Sequence, residues 1–339
     1  LGATGLLISA LLLWWALHDV NPREVVAHVR EARWPLFTLS VAVATSVFPI
    51  RALRWRYLLE RDHTRPAFAP LWHATAIGFM ANNLLPARAG EVARAYAVRR
   101  LAGVRFSQAV GSLAVERMMD GLVLLSLMAL VIVLGGVGQG AAVAGVSLFR
   151  TGVGAALLFV PSLLVAFWVV NRPERALVFL RSISGKLLPQ GTSSRLVNVL
   201  AGLLTGLESL RSGSRFAMVT LWSLVHWVVG GVAYWLGFRA FGLEVPWSAA
   251  WLLQSLVAFG VAIPSSPGFF GPFEAVVRAT LGIYGVPASQ AISYAVAYHL
   301  AAFIPVTLFG LWSLARFHLH LADLRTDDAW GANQLERAG

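Results

Sequence analysis

Three clusters of ionisable residues interrupt an otherwise apolar chain, and they are where this sequence could do chemistry. The first is NNLLPARAGEVAR, residues 82–94, which sets Arg88, Glu91 and Arg94 around Pro86 and Gly90. The second is AVERMMDG, residues 114–121, with Glu116, Arg117 and Asp120. The third joins PSSPGFFGPFE, residues 264–274, to the segment behind it and carries Glu274, Arg278, Tyr298 and His299. A charge at the centre of a membrane helix costs about 2.5–3.5 kcal/mol on insertion scales, so such residues mark a pathway or are held by partners.

Each cluster suits a particular task. In the first, a helix restarting near Gly90 presents free N–H groups, and with Arg88 and Arg94 beside them these favour a phosphate or carboxylate. Glu91 is an anion in the same place. It pairs with an arginine, caps the helix, or takes a proton or a headgroup amine, and the residues leave these readings open. In the second, Glu116 and Asp120 share a helical face and Arg117 stands three residues before Asp120. A helix-fixing ion pair is the plain reading, although buried ion pairs stabilise weakly. In the third, three prolines and two glycines leave no regular element. Glu274 and Arg278 are one helical turn apart, a spacing that allows pairing. His299 is either a satisfied buried histidine or a side chain whose charge responds to pH.

Other chemistries find no support. The chain has no cysteine, which excludes disulfides, thiol catalysis and cysteine metal sites. GGVGQG at 135–140 lacks the dinucleotide fingerprint, and no P-loop, G-x-S-x-G or H-E-x-x-H occurs. His318, His320 and Asp323 lie in a polar tail and read as solvated. No cofactor and no metal are expected.

The elements that position these clusters must be membrane helices. Of the residues, 58% are hydrophobic and only 13% charged, with a mean hydropathy of +0.69, and the apolar residues come in blocks rather than stripes. Blocks at 6–17, 36–47, 121–134, 153–170, 216–238, 251–263 and 291–314 are nearly free of charge. Several approach the ~20 residues that cross a hydrocarbon core of roughly 30 Å. Backbone groups in lipid must be satisfied internally, which demands helices; a β-barrel would need an alternation that is absent. The first block has no basic region before it and no cleavage site after it, so it is expected to stay as a membrane segment, behind a trimmed native N-terminus. Trp14, Trp15, Trp34, Trp55, Trp72, Trp222, Trp227 and Trp247 mostly flank blocks, as interfacial anchors do. Residues 193–211 form an amphipathic stretch suited to lie on anionic headgroups.

The net charge of +11 is spread unevenly over the connections. Residues 51–65 carry five Arg against Glu60 and Asp62; 88–105 carry five Arg against Glu91; 171–215 carry six Arg and Lys186 against Glu174 and Glu208. Connections at 18–34, 136–147 and 241–286 are neutral or slightly acidic. The basic group is expected in the cytoplasm and the other outside, in the inner membrane of a bacterium or archaeon. This distribution answers to topology, and no nucleic-acid partner is expected.

Two connections on the same side, 51–65 and 88–105, flank the short apolar stretch 71–86. That stretch therefore reads as half of a re-entrant helix pair, tolerated only where protein or a cavity covers the break. The pattern recurs at 251–274. GVRFSQA, 103–109, resembles GVPASQA, 285–291, and each follows a Pro-broken turn with a Glu and precedes a long apolar crossing. At equal distance from the matched SQA, His299 falls where Arg117 stands. Crossings at 111–134, 153–170 and 216–238 would place the second copy upside down. The expected fold is all-α and polytopic, with two inverted-topology repeats at about 68–136 and 247–316, each holding a broken helix pair. They make one transmembrane domain over 1–320, with 321–339 as a short cytoplasmic tail.

These motifs in this order, together with the Tyr298–His299 helix that also holds Pro305 and Gly310, resemble the membrane domain of the lysylphosphatidylglycerol synthase/flippase family. The resemblance covers nearly the whole chain. It implies broken helices around a central lipid site and, since the chain ends soon after Leu319, no aminoacyl-transfer domain. The expectation is a lipid flippase acting on an anionic or aminoacylated phospholipid or a lipid-linked headgroup. Arg88, Arg94 and Arg117 would hold phosphate; Glu91, Glu116, Asp120 and Glu274 would hold an amine or carry protons; Arg278 and His299 would complete the external half. A lipid-modifying enzyme and a second copy of the chain are the expected protein partners. The alternative is a membrane-embedded transferase or hydrolase acting on a lipid-linked substrate.

Overall fold

The computed structural model describes the backbone of residues 2–60, 64–85, 89–134, 142–143, 146–147, 161, 168, 172–187, 197, 213–261 and 265–319. The elements are α1 (Gly2–Leu17), α2 (Pro22–Glu31), α3 (Trp34–Leu58), α4 (Phe68–Leu84), α5 (Gly90–Ala102), α6 (Phe106–Leu134), α7 (Pro173–Leu187), α8 (Gly213–Ala240), α9 (Ser248–Gly260), a 3-10 turn (Pro267–Phe269), α10 (Pro272–Gly282) and α11 (Ala288–Arg316). A two-residue antiparallel pair, β1 (Ala142–Val143) with β2 (Val146–Ser147), falls in the connection that carries no charge. The protein is an all-α membrane protein. Helices α3, α8 and α11 are each long and apolar enough to cross a bilayer. Helix α6 matches α11 at 29 residues but keeps Glu116, Arg117 and Asp120 in its first half.

One order of helix lengths occurs twice. A long α3 of 25 residues is followed by α4 of 17, α5 of 13 and α6 of 29. A long α8 of 28 is followed by α9 of 13, α10 of 11 and α11 of 29. The expected segments 68–136 and 247–316 span the last three helices of each series, and α3 and α8 precede them. The two lead helices lie along each other: buried Ser40 donates its hydroxyl to the Ala233 carbonyl at 2.7 Å, and Arg33 N–H donates to the Ala240 carbonyl at 2.9 Å. The crossing expected at 153–170, the amphipathic 193–211 and the tail 321–339 lie outside the described residues, save Trp168, Val197 and Pro161.

Glycine decides two local geometries. Helix α5 folds back along α4 so closely that a Cβ on Gly90 would sit 2.1 Å from the Gly78 carbonyl oxygen, which only hydrogen permits. Gly103 and Gly285, the first residues of the two matched heptapeptides, have φ of 65° and 74°; Gly103 caps α5 in the left-handed conformation, and Gly285 lies in the turn that follows α10.

Apolar packing gathers around each set. Trp55, Leu58, Leu71, Ile77, Met80 and Val98 are buried in the first core. Phe238, Leu243, Leu253, Val277, Leu281 and Tyr294 are buried in the second. In the first, the Trp55 indole donates to the Ser112 hydroxyl at 2.8 Å. In the second, Gly237 opens a space filled by the Tyr294 ring, which a Cβ there would meet at 2.8 Å.

Candidate anion-binding site

Helix α3 corrects the reading of 51–65 as a connection. It continues to Leu58, so Arg51 and Arg54 lie within it, three residues apart on one face, and both are buried. That face meets α6. Arg51 Nη2 stands 2.7 Å from Glu116 Oε1, Arg54 Nη2 3.1 Å, Arg94 Nη1 2.9 Å and Arg117 Nη2 2.9 Å. One carboxylate oxygen thus faces four guanidiniums. Its twin, Glu116 Oε2, is buried and finds no hydrogen-bond partner among the described residues.

Asp120, one turn along α6, shares the load. Its Oδ1 accepts from Arg54 Nη1 at 2.5 Å and from the Trp227 indole at 3.0 Å. Arg54 Nη1 also donates to Ser223 Oγ at 3.0 Å, which brings α8 into the cluster. Arg117 is half-exposed and reaches both Asp120 at 3.5 Å and Glu91 at 3.6 Å. Aromatic faces back two of the cations: Arg94 lies 3.9 Å over Trp55, and Arg51 4.8 Å over Phe79.

The balance is cationic. Arg51, Arg54, Arg94 and Arg117 stand against Glu116, Asp120 and the more distant Glu91. Among the described residues Arg94 Nε and Nη2 find no acceptor, and neither do Arg51 Nε and Arg54 Nε. Buried donors with no acceptor cost about 1–3 kcal/mol each, more when charged. Excess positive charge and unused donors are features that an anion would satisfy.

The helix N-termini contribute less than expected. Gly90 N–H, which opens α5, already donates to Asn82 Oδ1 at 2.9 Å. Gly271 N–H, before α10, donates to Glu274 Oε2 at 2.7 Å, so Glu274 caps its own helix. Arg88 lies outside the described residues, as do Pro86 and Pro264.

The third cluster divides. Glu274 does not pair with Arg278. Its Oε1 contacts His299 Nδ1 at 2.6 Å, and His299 Nε2 contacts the Gly268 carbonyl at 2.8 Å. Arg278 turns away to the end of α1, where it donates to the carbonyls of Trp15 and Ala16 at 2.8 Å and pairs with Asp19 at 2.6 Å. Asp19 is held below the usual carboxylate range, chiefly by its hydrogen bond to Arg278. Arg278 therefore ties α10 to the end of α1. Between α1, α9 and α10 lies an apolar cavity of about 560 Å³, with Leu12, Trp15, Leu256, Phe259 and Val276 in its wall. Among the described residues no group of three or more His, Cys, Asp or Glu could hold a metal.

The structure brings Arg94 of the first cluster to Glu116, Arg117 and Asp120 of the second, and adds Arg51, Arg54, Ser223 and Trp227, which the sequence reading missed. The signal was available: two arginines one turn apart at the end of an apolar run need buried partners.

Residues 2–310 match the family model described as the lysylphosphatidylglycerol synthase TM region. The chain belongs to this family. Within the lysylphosphatidylglycerol synthase TM family it is similar to a UPF0104 membrane protein of Methanothermobacter thermautotrophicus, 26% identical over 321 residues, which is 90% of this chain and 89% of that protein. It is also similar to Glycosyltransferase AglD of Haloferax volcanii, 27% identical over 298 residues. That match takes 80% of this chain but only 47% of the longer protein. No solved structure matches this family member.

Proposed function

We propose that this protein carries an anionic or aminoacylated lipid headgroup, or a lipid-linked one, between the leaflets of a bacterial or archaeal cytoplasmic membrane. The supporting observation is the buried cluster in which four guanidiniums outnumber their carboxylates while Arg94 keeps unused donors. A phosphate would take those donors, and the bare Glu116 Oε2 offers an acceptor to an amine or hydroxyl of the same headgroup. Membership of a family described by a lipid-synthase membrane region agrees with a lipid substrate. On this reading the two helix sets are inverted repeats that expose the site alternately, and acyl chains stay in the bilayer.

The test is leaflet exchange in reconstituted vesicles. A fluorescent anionic phospholipid should change leaflet faster with the wild type than with Arg117→Gln or Glu91→Gln. Equal rates in all three, and in protein-free vesicles, would remove the reading. A second reading, a membrane-embedded transferase or hydrolase on a lipid-linked substrate, draws on the similarity to part of a glycosyltransferase. Conversion of a lipid-linked substrate without exchange would favour it.

A further inference from the structure

The anion site explains the first break but not the second, where two titratable side chains are joined inside the membrane domain. Glu274 and His299 are both buried. Each ring nitrogen of His299 faces an oxygen: Glu274 Oε1 at 2.6 Å and the Gly268 carbonyl at 2.8 Å. A carbonyl only accepts, so Nε2 must carry a hydrogen. The 2.6 Å contact between Nδ1 and a carboxylate oxygen needs a second hydrogen, on the nitrogen or on the oxygen. The observed geometry therefore holds two protons.

Removing one breaks it. If the hydrogen between His299 and Glu274 leaves, a bare ring nitrogen faces a carboxylate. If the ring shifts its remaining hydrogen to Nδ1, a bare Nε2 faces the Gly268 carbonyl instead. Either way one contact becomes repulsive. The Gly268 contact ties the broken segment to the long α11, since Gly268 belongs to the turn and His299 to that helix, while Ser266 N–H donating to Ser9 Oγ at 2.8 Å ties its start to α1. The turn is further tied to the pair by Gly271 N–H on Glu274 Oε2, and Phe270 and Phe273 each place a ring 4.5 Å from the imidazole.

The first helix set supplies a comparison. There, Glu91 in the first turn of α5 stands 3.6 Å from Arg117 on α6. Glu274 in the first turn of α10 and His299 on α11 repeat that arrangement. One pair has a permanent cation and the other a cation that can be lost.

We propose that Glu274 and His299 form a proton-binding site, and that the bound proton clamps the second break, 265–271, onto α11. On loss of the proton to water the turn is released, and on uptake it closes. This rests on the transport reading for its purpose, since it would supply that reading with a coupling ion, but the clamp itself can be observed without any lipid substrate.

The surroundings leave the pair in control of its own charge. On α10 the near cation is Arg278, which is engaged by Asp19. On α11 the neighbour is Tyr298, stacked by Tyr234 from α8. Helix α9 and residues 4–17 of α1 bring no ionisable side chain. His73 of α4 bonds Ser313 farther along α11, and His28 of α2 lies by Ser293.

The natural lack of cysteine makes the test direct. Ser265→Cys in purified protein should react with a thiol reagent at a rate that rises severalfold as the medium is taken from acidic to alkaline pH. The rate is taken relative to Val26→Cys on the exposed face of α2, which corrects for thiol ionisation. In His299→Arg, which fixes the cation as Arg117 does, the relative rate should stay low and flat. In His299→Gln it should be flat as well, and this milder change serves if the arginine variant fails to fold. A flat profile in the wild-type background, or a rise that survives both substitutions, would overturn the proposal. Pure loss of lipid exchange with the labelling profile intact would instead strike the transport reading.

Discussion

Gln108 and Gln290 make the same hydrogen bond in the two halves of the protein. Each side-chain amide donates to a backbone carbonyl 49 residues earlier, Gln108 to Leu59 at 3.4 Å and Gln290 to Phe241 at 3.3 Å. Both acceptors lie just past the end of a long lead helix, and both donors sit in the matched SQA. The bond closes each set of four helices, fixing the start of the last on the end of the first. Gln108→Leu and Gln290→Leu should therefore cost similar stability, about 0.5–1.5 kcal/mol for a net hydrogen bond, read as thermal unfolding in detergent. A large difference between them would separate the two halves in this respect.

Glu116 should matter more than any single arginine around it. Glu116→Gln leaves four guanidiniums facing a neutral oxygen, and breaking a buried pair in this way costs about 3–5 kcal/mol. The expected outcome is poor accumulation in the membrane, partly restored by adding Arg94→Gln, which removes the excess charge. Failure of the double variant to exceed the single one would show that Arg94 does not depend on Glu116.

Arg54 and Arg117 should fail differently. Arg54 is fully buried and bonds Asp120 and Ser223, so Arg54→Gln should lower the amount of folded protein. Arg117 is half-exposed at the edge of the cluster, so Arg117→Gln should fold and lose exchange. Comparing protein yield with rate per molecule checks both, and equal yields for the two would contradict the assignment.

Much of this arrangement was legible in the residues. Helical segments and both breaks followed from apolar blocks ended by Pro and Gly, because a bilayer allows few alternatives. Glu116 with Asp120 followed from a four-residue spacing. What escaped was long-range pairing. Arg51 and Arg54 looked like flanking loop charge because a one-dimensional count cannot show that α3 continues to Leu58 with carboxylates opposite. Arg278 looked like a partner of Glu274 because the spacing is right, yet His299 and Asp19, distant in sequence, took the two ends.

Asp19 offers a pH test at the membrane edge. Its carboxyl is held low by Arg278, so the contribution of this pair is fully present above about pH 4, the ordinary carboxylate value, and is lost as pH falls through the lower folded value. Amide protection at the end of α1, taken relative to the intrinsic exchange rate at each pH, should hold from neutral pH down to about 4 and fall below it. Asp19→Asn should remove that acid step. An unchanged acid step in the variant would mean that another group fastens α1.

The two cores differ in one complementary exchange. Trp55 against Ser112 in the first set stands where Gly237 against Tyr294 stands in the second, with the bulk moved from the lead helix to the last one. Either pair fills its space, but a mixture does not: tryptophan opposite tyrosine would collide, and glycine opposite serine would leave a void. The halves are therefore complements and not spare copies. Within each pair the two residues therefore have to change together, since a new size at one position calls for the opposite change across from it.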